Sequence, residues 1–251
     1  MISSDTVKVL EFFKDLIPNE ELMVIQKIEH KAYWIYYHRS GDAIEKAVMD
    51  LKKAIDAIPE YQIFKVLVGF EGVFEDWKHK ADSITDEDKI QGIGDMRTNK
   101  ALAYADSITL ENFTEWRDRI LKYSRIESSD MATFPYFIRF LERFGEMSPS
   151  LALRLIKESS ETLRGFMVPI LKGGWGSQDT QLYHALISDW VRERKYLFLI
   201  GRVFELSNNP DLEVLEKILA IGIETQDRNI LAQVISVAIE PKTRVDQDKM
   251  G

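Results

Sequence analysis

The stretch from Glu60 to Lys80 limits what this chain can become more than any other. Its apolar residues Ile63, Phe64, Val66, Leu67, Phe70, Val73, Phe74 and Trp77 cover well over one face of a helix. A helix apolar on that much of its circumference must be buried between neighbours, so the chain predicts a helical assembly with this element at its centre. Three shorter elements precede it. Ser3, Ser4 and Asp5 offer caps for a helix with the apolar face Val9, Phe12, Phe13 and Leu16, ended by Pro18. From about Asn19 to His38 a second helix places Leu22, Ile25, Ile28, Ala32 and Ile35 on one face, with Tyr33, Trp34, Tyr36 and Tyr37 thickening its far end. After a turn at Gly41-Asp42, a third carries Ile44, Ala47, Val48, Leu51 and Ile55, and Pro59 opens the central one. Residues 1–80 thus read as N-terminal helical hairpins.

Residues 81–98 are more polar and read as a joint. Thr85-Asp-Glu-Asp88 marks a helix start, because carboxylates there face the positive end of the helix dipole. Gly92 and Gly94 together weaken a helix by roughly 2 kcal/mol relative to alanine. Residues 99–240 resume the helical pattern. Thr109 caps a helix bearing Leu110, Phe113, Trp116, Ile120 and Tyr123, and Ser128-Ser-Asp130 starts another with Phe134, Phe137, Ile138, Leu141 and Phe144 inward. Ser148-Pro-Ser-Leu151 and Asn209-Pro-Asp-Leu212 each set a capping residue before a first-turn proline, each after an aromatic-rich helix. This weak internal repeat argues for stacked helical hairpins, against the competing reading of coincident helix-start signals in an irregular domain. Residues 241–251 form a polar tail.

A content of 45% hydrophobic residues over 251 positions is enough for one large core or two smaller ones. Acidic residues outnumber basic ones by 41 to 33, an excess shared by both halves, so the chain lacks the positive surplus from which nucleic-acid binders draw affinity. The absence of cysteine excludes disulfides, thiolate nucleophiles and Cys-ligated zinc, and fits a reducing cytoplasm, the expected location. The N-terminus has no secretory pattern, and no apolar run reaches the ~20 residues needed to span a bilayer, so no membrane association is expected.

Chemistry-bearing motifs are sparse. Gly173-Gly-Trp-Gly176 reads as a loop after a helix that Pro169 kinks, but without the Lys-Ser/Thr or the preceding strand of a phosphate-binding loop. Its glycines serve a turn that folds Trp175 back on neighbouring helices, or else present Trp175 as an exposed partner contact. His30 and His38 stand about 12 Å apart along a helix and cannot share a metal as an i, i+4 pair would; His79 and His184 have no metal-ligand spacing. No nucleophile elbow is present, and pairs such as Glu20-Glu21 and Glu75-Asp76 fit a solvated face better than acid–base work. No catalytic, cofactor-binding or metal-binding residue is therefore assigned, and no cofactor is expected. Two basic clusters remain. Arg192, Arg194 and Lys195, around a break between helices, are with Trp175 the candidate partner-binding residues. Arg119, Lys122 and Arg125 share a helix face and, with Trp116 and Tyr123 near, form the candidate nucleic-acid surface, set against pairing with Glu115, Asp118 and Glu127.

Phe134-Pro-Tyr-Phe-Ile-Arg-Phe-Leu-Glu-Arg-Phe144, Ser148-Pro-Ser-Leu-Ala-Leu-Arg-Leu155, Ile187-Ser-Asp-Trp190 and Lys195-Tyr-Leu-Phe-Leu-Ile-Gly-Arg202 together resemble the HEAT- or TPR-like regions that follow the nucleotide-binding module in large bacterial STAND-type ATPases, including anti-phage defence proteins. The resemblance covers roughly residues 100 to 240 and rests on aromatic and leucine positions; the tryptophan-leucine-glycine opening of the TPR consensus is not visible. It implies a sensor or partner-binding array attached to an ATPase or effector elsewhere. It carries over no catalytic residue, because the P-loop such a module needs is missing. The expectation is an all-α stack of hairpins, an α-solenoid of about eleven or twelve helices without a sheet. It acts as a non-enzymatic scaffold for a protein partner, the alternatives being a nucleic-acid binder or an enzyme with a dispersed site.

Overall fold

Helical spacing without β-pattern gives helices. The computed structural model describes residues 2–39, 41–69, 87–128 and 133–239, and among them there is no strand. The elements are α1 (Ile2–Leu16), α2 (Leu22–His38), α3 (Asp42–Asp56), α4 (Pro59–Val68), α5 (Glu87–Asp106), α6 (Phe113–Tyr123), α7 (Pro135–Met147), α8 (Pro149–Leu163), α9 (Met167–Trp175), α10 (Thr180–Arg192), α11 (Leu197–Glu205), α12 (Leu212–Thr225) and α13 (Arg228–Ile239). No helix is long and apolar enough to cross a membrane among the described residues. The chain divides into two compact units, Met1–Ala101 with Glu127–Phe137 and Leu102–Ile126 with Ile138–Gly251.

In the first unit α3 packs on α1 and α2, and α4 packs on α2 and α3. Ile44, Val48, Leu51 and Ile55 of α3 are buried at the predicted spacing, and Gly41 enters the helix at φ +133°, a conformation that favours glycine. Two expectations are corrected. The central helix ends at Val68, where Gly69 turns extended; its expected continuation, with Phe70, Val73, Phe74 and Trp77, lies outside the described residues, as does His79. The face of α1 is rotated: Leu10 and then Ile17 are buried, while Val9 and Phe12 are exposed. Residues 10, 13 and 17 also follow helical spacing, and packing against α3 selects that stripe.

The interior of this unit holds charge. Glu29 is fully buried on α2; Tyr61 donates to its Oε2 at 2.6 Å and Lys65 to its Oε1 at 2.6 Å, both from α4. Burial, with the neighbouring Glu29 charge, pushes the Tyr61 hydroxyl up, so it stays a donor; burial pulls the Lys65 ammonium down although Glu29 pulls it the other way. Arg97 of α5, also fully buried, donates from Nε to Val66 O at 3.1 Å and from Nη2 to Gly69 O at 2.5 Å, and lies over the Tyr136 ring. A guanidinium on the last carbonyls of α4 satisfies acceptors that a helix end leaves orphaned and meets the negative end of its dipole. Of the stretch 81–98, residues from Glu87 onward are helical, with Gly92 and Gly94 inside α5; residues 81–86, and the tail 241–251, lie outside the described residues.

In the second unit packing runs between helices one or two places apart along the chain: α6 on α8, α8 on α9 and α10, α9 on α10 and α11, α10 on α12, and α11 and α12 on α13. The glycine-rich run is not a loop. Gly173, Gly174 and Trp175 form the last turn of α9, and Pro169 sits in its first turns. A Cβ on Gly173 would stand 1.9 Å from Glu142 O, and one on Gly145 of α7 would stand 2.3 Å from Ile170 O. A Cβ on Gly174 would meet the Tyr183 ring at 2.0 Å. These glycines let α7, α9 and α10 approach closely, which is a contact property and not a turn property. The two cap-proline motifs also differ. Ser148 precedes α8 with Pro149 in its first turn, but α12 starts at Leu212, capped by Asp211, whose side chain accepts from Val214 N at 3.1 Å. Asn209 instead offers its carbonyl to the Trp175 indole. Likewise α6 starts at Phe113, after Asn112, and Leu110 is exposed.

Candidate partner-binding groove

Along α10, Ser188, Val191 and Arg192 fall at i, i+3 and i+4; along α12, Val214, Lys217 and Ile221 fall at i, i+3 and i+7, with Ala220 beside them. Because α10 packs on α12, these rows face a common groove of about 450 Å³, which Arg194 also lines. Its floor is aliphatic, from Val191, Val214, Ala220 and Ile221; its rim carries Arg192, Arg194 and Lys217.

Arg194 reaches this rim through its backbone. It sits at φ 57°, the left-handed conformation that ends many helices and usually belongs to glycine. Its N–H donates to Val191 O at 3.1 Å and the Lys195 N–H to Trp190 O at 2.8 Å, the two bonds that close a helix C-terminus in this way. Tyr196, at φ 53°, then turns the chain into α11. Each rim cation meets a carboxylate: Arg192 donates from Nη2 to Asp189 Oδ1 at 2.6 Å, Arg194 from Nη2 to both oxygens of Glu224 at 3.0 and 2.9 Å, and Lys217 to Glu213 at 2.7 Å. The hydrogen bond to Glu213 lifts the Lys217 ammonium above the usual lysine range.

Of the partner-binding residues read from the sequence, the structure brings Arg192 and Arg194 together on one groove. Lys195 is exposed and paired with Glu193 at 2.9 Å, outside the groove lining. Trp175 is only 8% exposed: its ring packs 4.1 Å from the His184 ring and 4.9 Å from Phe204, and its indole N–H donates to Asn209 O at 3.0 Å. It is an inward anchor, with one edge on a polar cleft of about 390 Å³ beside Glu142, Lys172 and Asn209. The residues missed were Ser188, Val191, Ala220, Val214, Lys217 and Ile221. The signal for the last three was the single-face spacing on α12, which reads equally as a core stripe until the neighbouring helix is placed.

The second basic cluster takes a different form from the one expected. Trp116 and Tyr123 are buried, so neither is offered for base stacking; Arg119 pairs with Glu115 and lies over the Trp116 ring, 4.9 Å from its centroid. Lys122 and Arg125 are exposed. Among the described histidines, His30 accepts the Trp34 indole N–H at 3.1 Å, His38 stacks on Trp34, and His184 Nδ1 lies 3.4 Å from Asp211 Oδ2. No group of three or more His, Asp or Glu side chains is placed to hold a metal ion among the described residues. Comparison of the chain with known protein families, with curated proteins and with solved structures found no match.

Proposed function

We propose that this chain is a non-enzymatic helical interaction scaffold, binding a protein partner through the α10–α12 groove, as the sensing part of a larger bacterial defence or signalling system. The observation that carries this reading is the groove itself: an aliphatic floor open to solvent and rimmed by side chains able to change partners. Neighbour-on-neighbour packing in the second unit supports a stacked-hairpin array, a form whose stability does not depend on a single centre and whose grooves recur between hairpins. Partner cross-linking tests it. With a photoreactive residue at Ser188, a discrete protein should be captured from lysate of the native host, and the Ala220→Trp variant, which fills the groove, should lose it. Capture unchanged by Ala220→Trp, with helicity intact, removes the groove from the binding site.

A further inference from the structure

We infer that the occupant of the α10–α12 groove is an acidic amphipathic helical segment of a protein partner, presenting two or three aliphatic side chains to the floor and carboxylates to the rim. This rests on the reading of the groove as the binding element. The lining contains three cations and no carboxylate, although the chain's formal net charge is -8. The acids that pair with the rim lie outside the lining, at Asp189, Glu213 and Glu224. All three ion pairs are well exposed, so exchanging their carboxylates for a partner's is nearly neutral in free energy.

The guanidinium geometry is specific. Arg192 and Arg194 each bond their carboxylate through Nη2 alone. Among the described residues, Nε and Nη1 of both side chains make no hydrogen bond, so each planar fork keeps an edge for a second, incoming carboxylate. The length of the site fixes the size of the occupant. From Val214 to Ile221 the floor runs roughly 10 Å, about two helical turns, matching anchors at i, i+3 or i+4, and i+7 of a bound helix. The floor is aliphatic and no aromatic ring lines it, so there is no platform on which a nucleic-acid base would stack, although phosphates would satisfy the rim.

The test is fluorescence anisotropy on the full chain with three labelled probes. These are a peptide of roughly three turns with leucine at i, i+3 and i+7 and glutamate on its other faces, the same peptide with lysine for glutamate, and a single-stranded DNA of similar length. The acidic peptide should bind saturably and at least about tenfold more tightly than the other two. Arg192→Glu with Arg194→Glu should weaken it about tenfold or more, whereas Lys122→Glu with Arg125→Glu, the same change in net charge elsewhere, should leave it unchanged. The inference is overturned by absence of saturable binding of the acidic peptide, by equal or tighter binding of the basic peptide or the DNA, or by equal effects of the two double variants. If Ala220→Trp blocks the captured partner while no charge preference is found, the groove reading stands and only the inference falls. If Ala220→Trp blocks neither partner nor peptide, both fall.

Discussion

The interiors of the two units are held by opposite means. In the first, a fully buried carboxylate bonds a buried lysine and a buried tyrosine, and a buried arginine closes a helix end. In the second, the tightest contacts are made where side chains are missing, at Gly145, Gly173 and Gly174, with Phe140, Phe144, Trp175 and Tyr183 buried in the same unit. Buried ions depend on their partners, because each is stable only while its counter-charge is present. Close backbone approach depends on absent volume and tolerates nothing added. The same helical alphabet therefore produces one core sensitive to deletion and another sensitive to addition.

The largest effect is expected from Glu29→Ala, which strands the Lys65 ammonium and leaves the Tyr61 hydroxyl without its acceptor. Loss of one partner of a buried pair costs about 3–5 kcal/mol. Urea unfolding should show the loss, and hydrogen exchange should place it in α2 and α4. A change below about 1 kcal/mol would mean water reaches the cluster. Glu29→Leu, Tyr61→Phe and Lys65→Met combined should recover most of the loss, since apolar replacement of the whole cluster removes the desolvation penalty along with the attraction.

Next comes Gly173→Ala, expected to lower stability by about 3 kcal/mol, because the added methyl falls on the Glu142 carbonyl and backbone must shift to admit it. Gly176→Ala, three residues on, meets nothing closer than 3.7 Å and should change stability by less than about 0.5 kcal/mol. Equal melting temperatures for the two variants would refute the close-approach account.

A smaller effect belongs to pH. Glu205 accepts from Gln233 at 2.8 Å and Ser236 at 2.8 Å, and pairs with Arg202. Burial pushes its carboxyl up, but these bonds together outweigh burial and hold it below its ordinary value of 4.5. A carboxyl lowered in the folded state contributes stability that is present above 4.5 and lost as pH falls through the folded value. The second unit should thus lose stability on acidification below that point, and Glu205→Gln should flatten the dependence there; an unchanged acid limb would remove Glu205 from the account. The smallest effect is a gain: Gln226, at φ 54°, ends α12 in the left-handed conformation, and Gln226→Gly should stabilise by a few tenths to about 1 kcal/mol in thermal melts.

The helices themselves were legible. The α3 stripe, Pro59 and Pro149 in first turns, and the turn at Gly41 followed from local rules, because capping, proline geometry and the 3.6-residue period are properties of one helix. Two of the four basic and aromatic residues read as a partner site, Arg192 and Arg194, do line one groove. Trp175 and Lys195 do not share its floor or rim, because nearness in sequence to a glycine-rich run or a helix break says nothing about which way a helix face turns.

What the sequence alone determined is a chain of helices with apolar stripes, acidic overall and without cysteine chemistry. The tertiary structure decided which stripe is buried where two overlap, as on α1, and it turned a glycine-dense run into a helix contact. It also set α12 beside α10 so that an ordinary apolar row became the wall of a groove. The physical reason is one of range. Backbone conformation answers to neighbours within a turn of helix, whereas burial, close approach and clefts exist only between two surfaces, and the second surface comes from a part of the chain that local pattern does not specify.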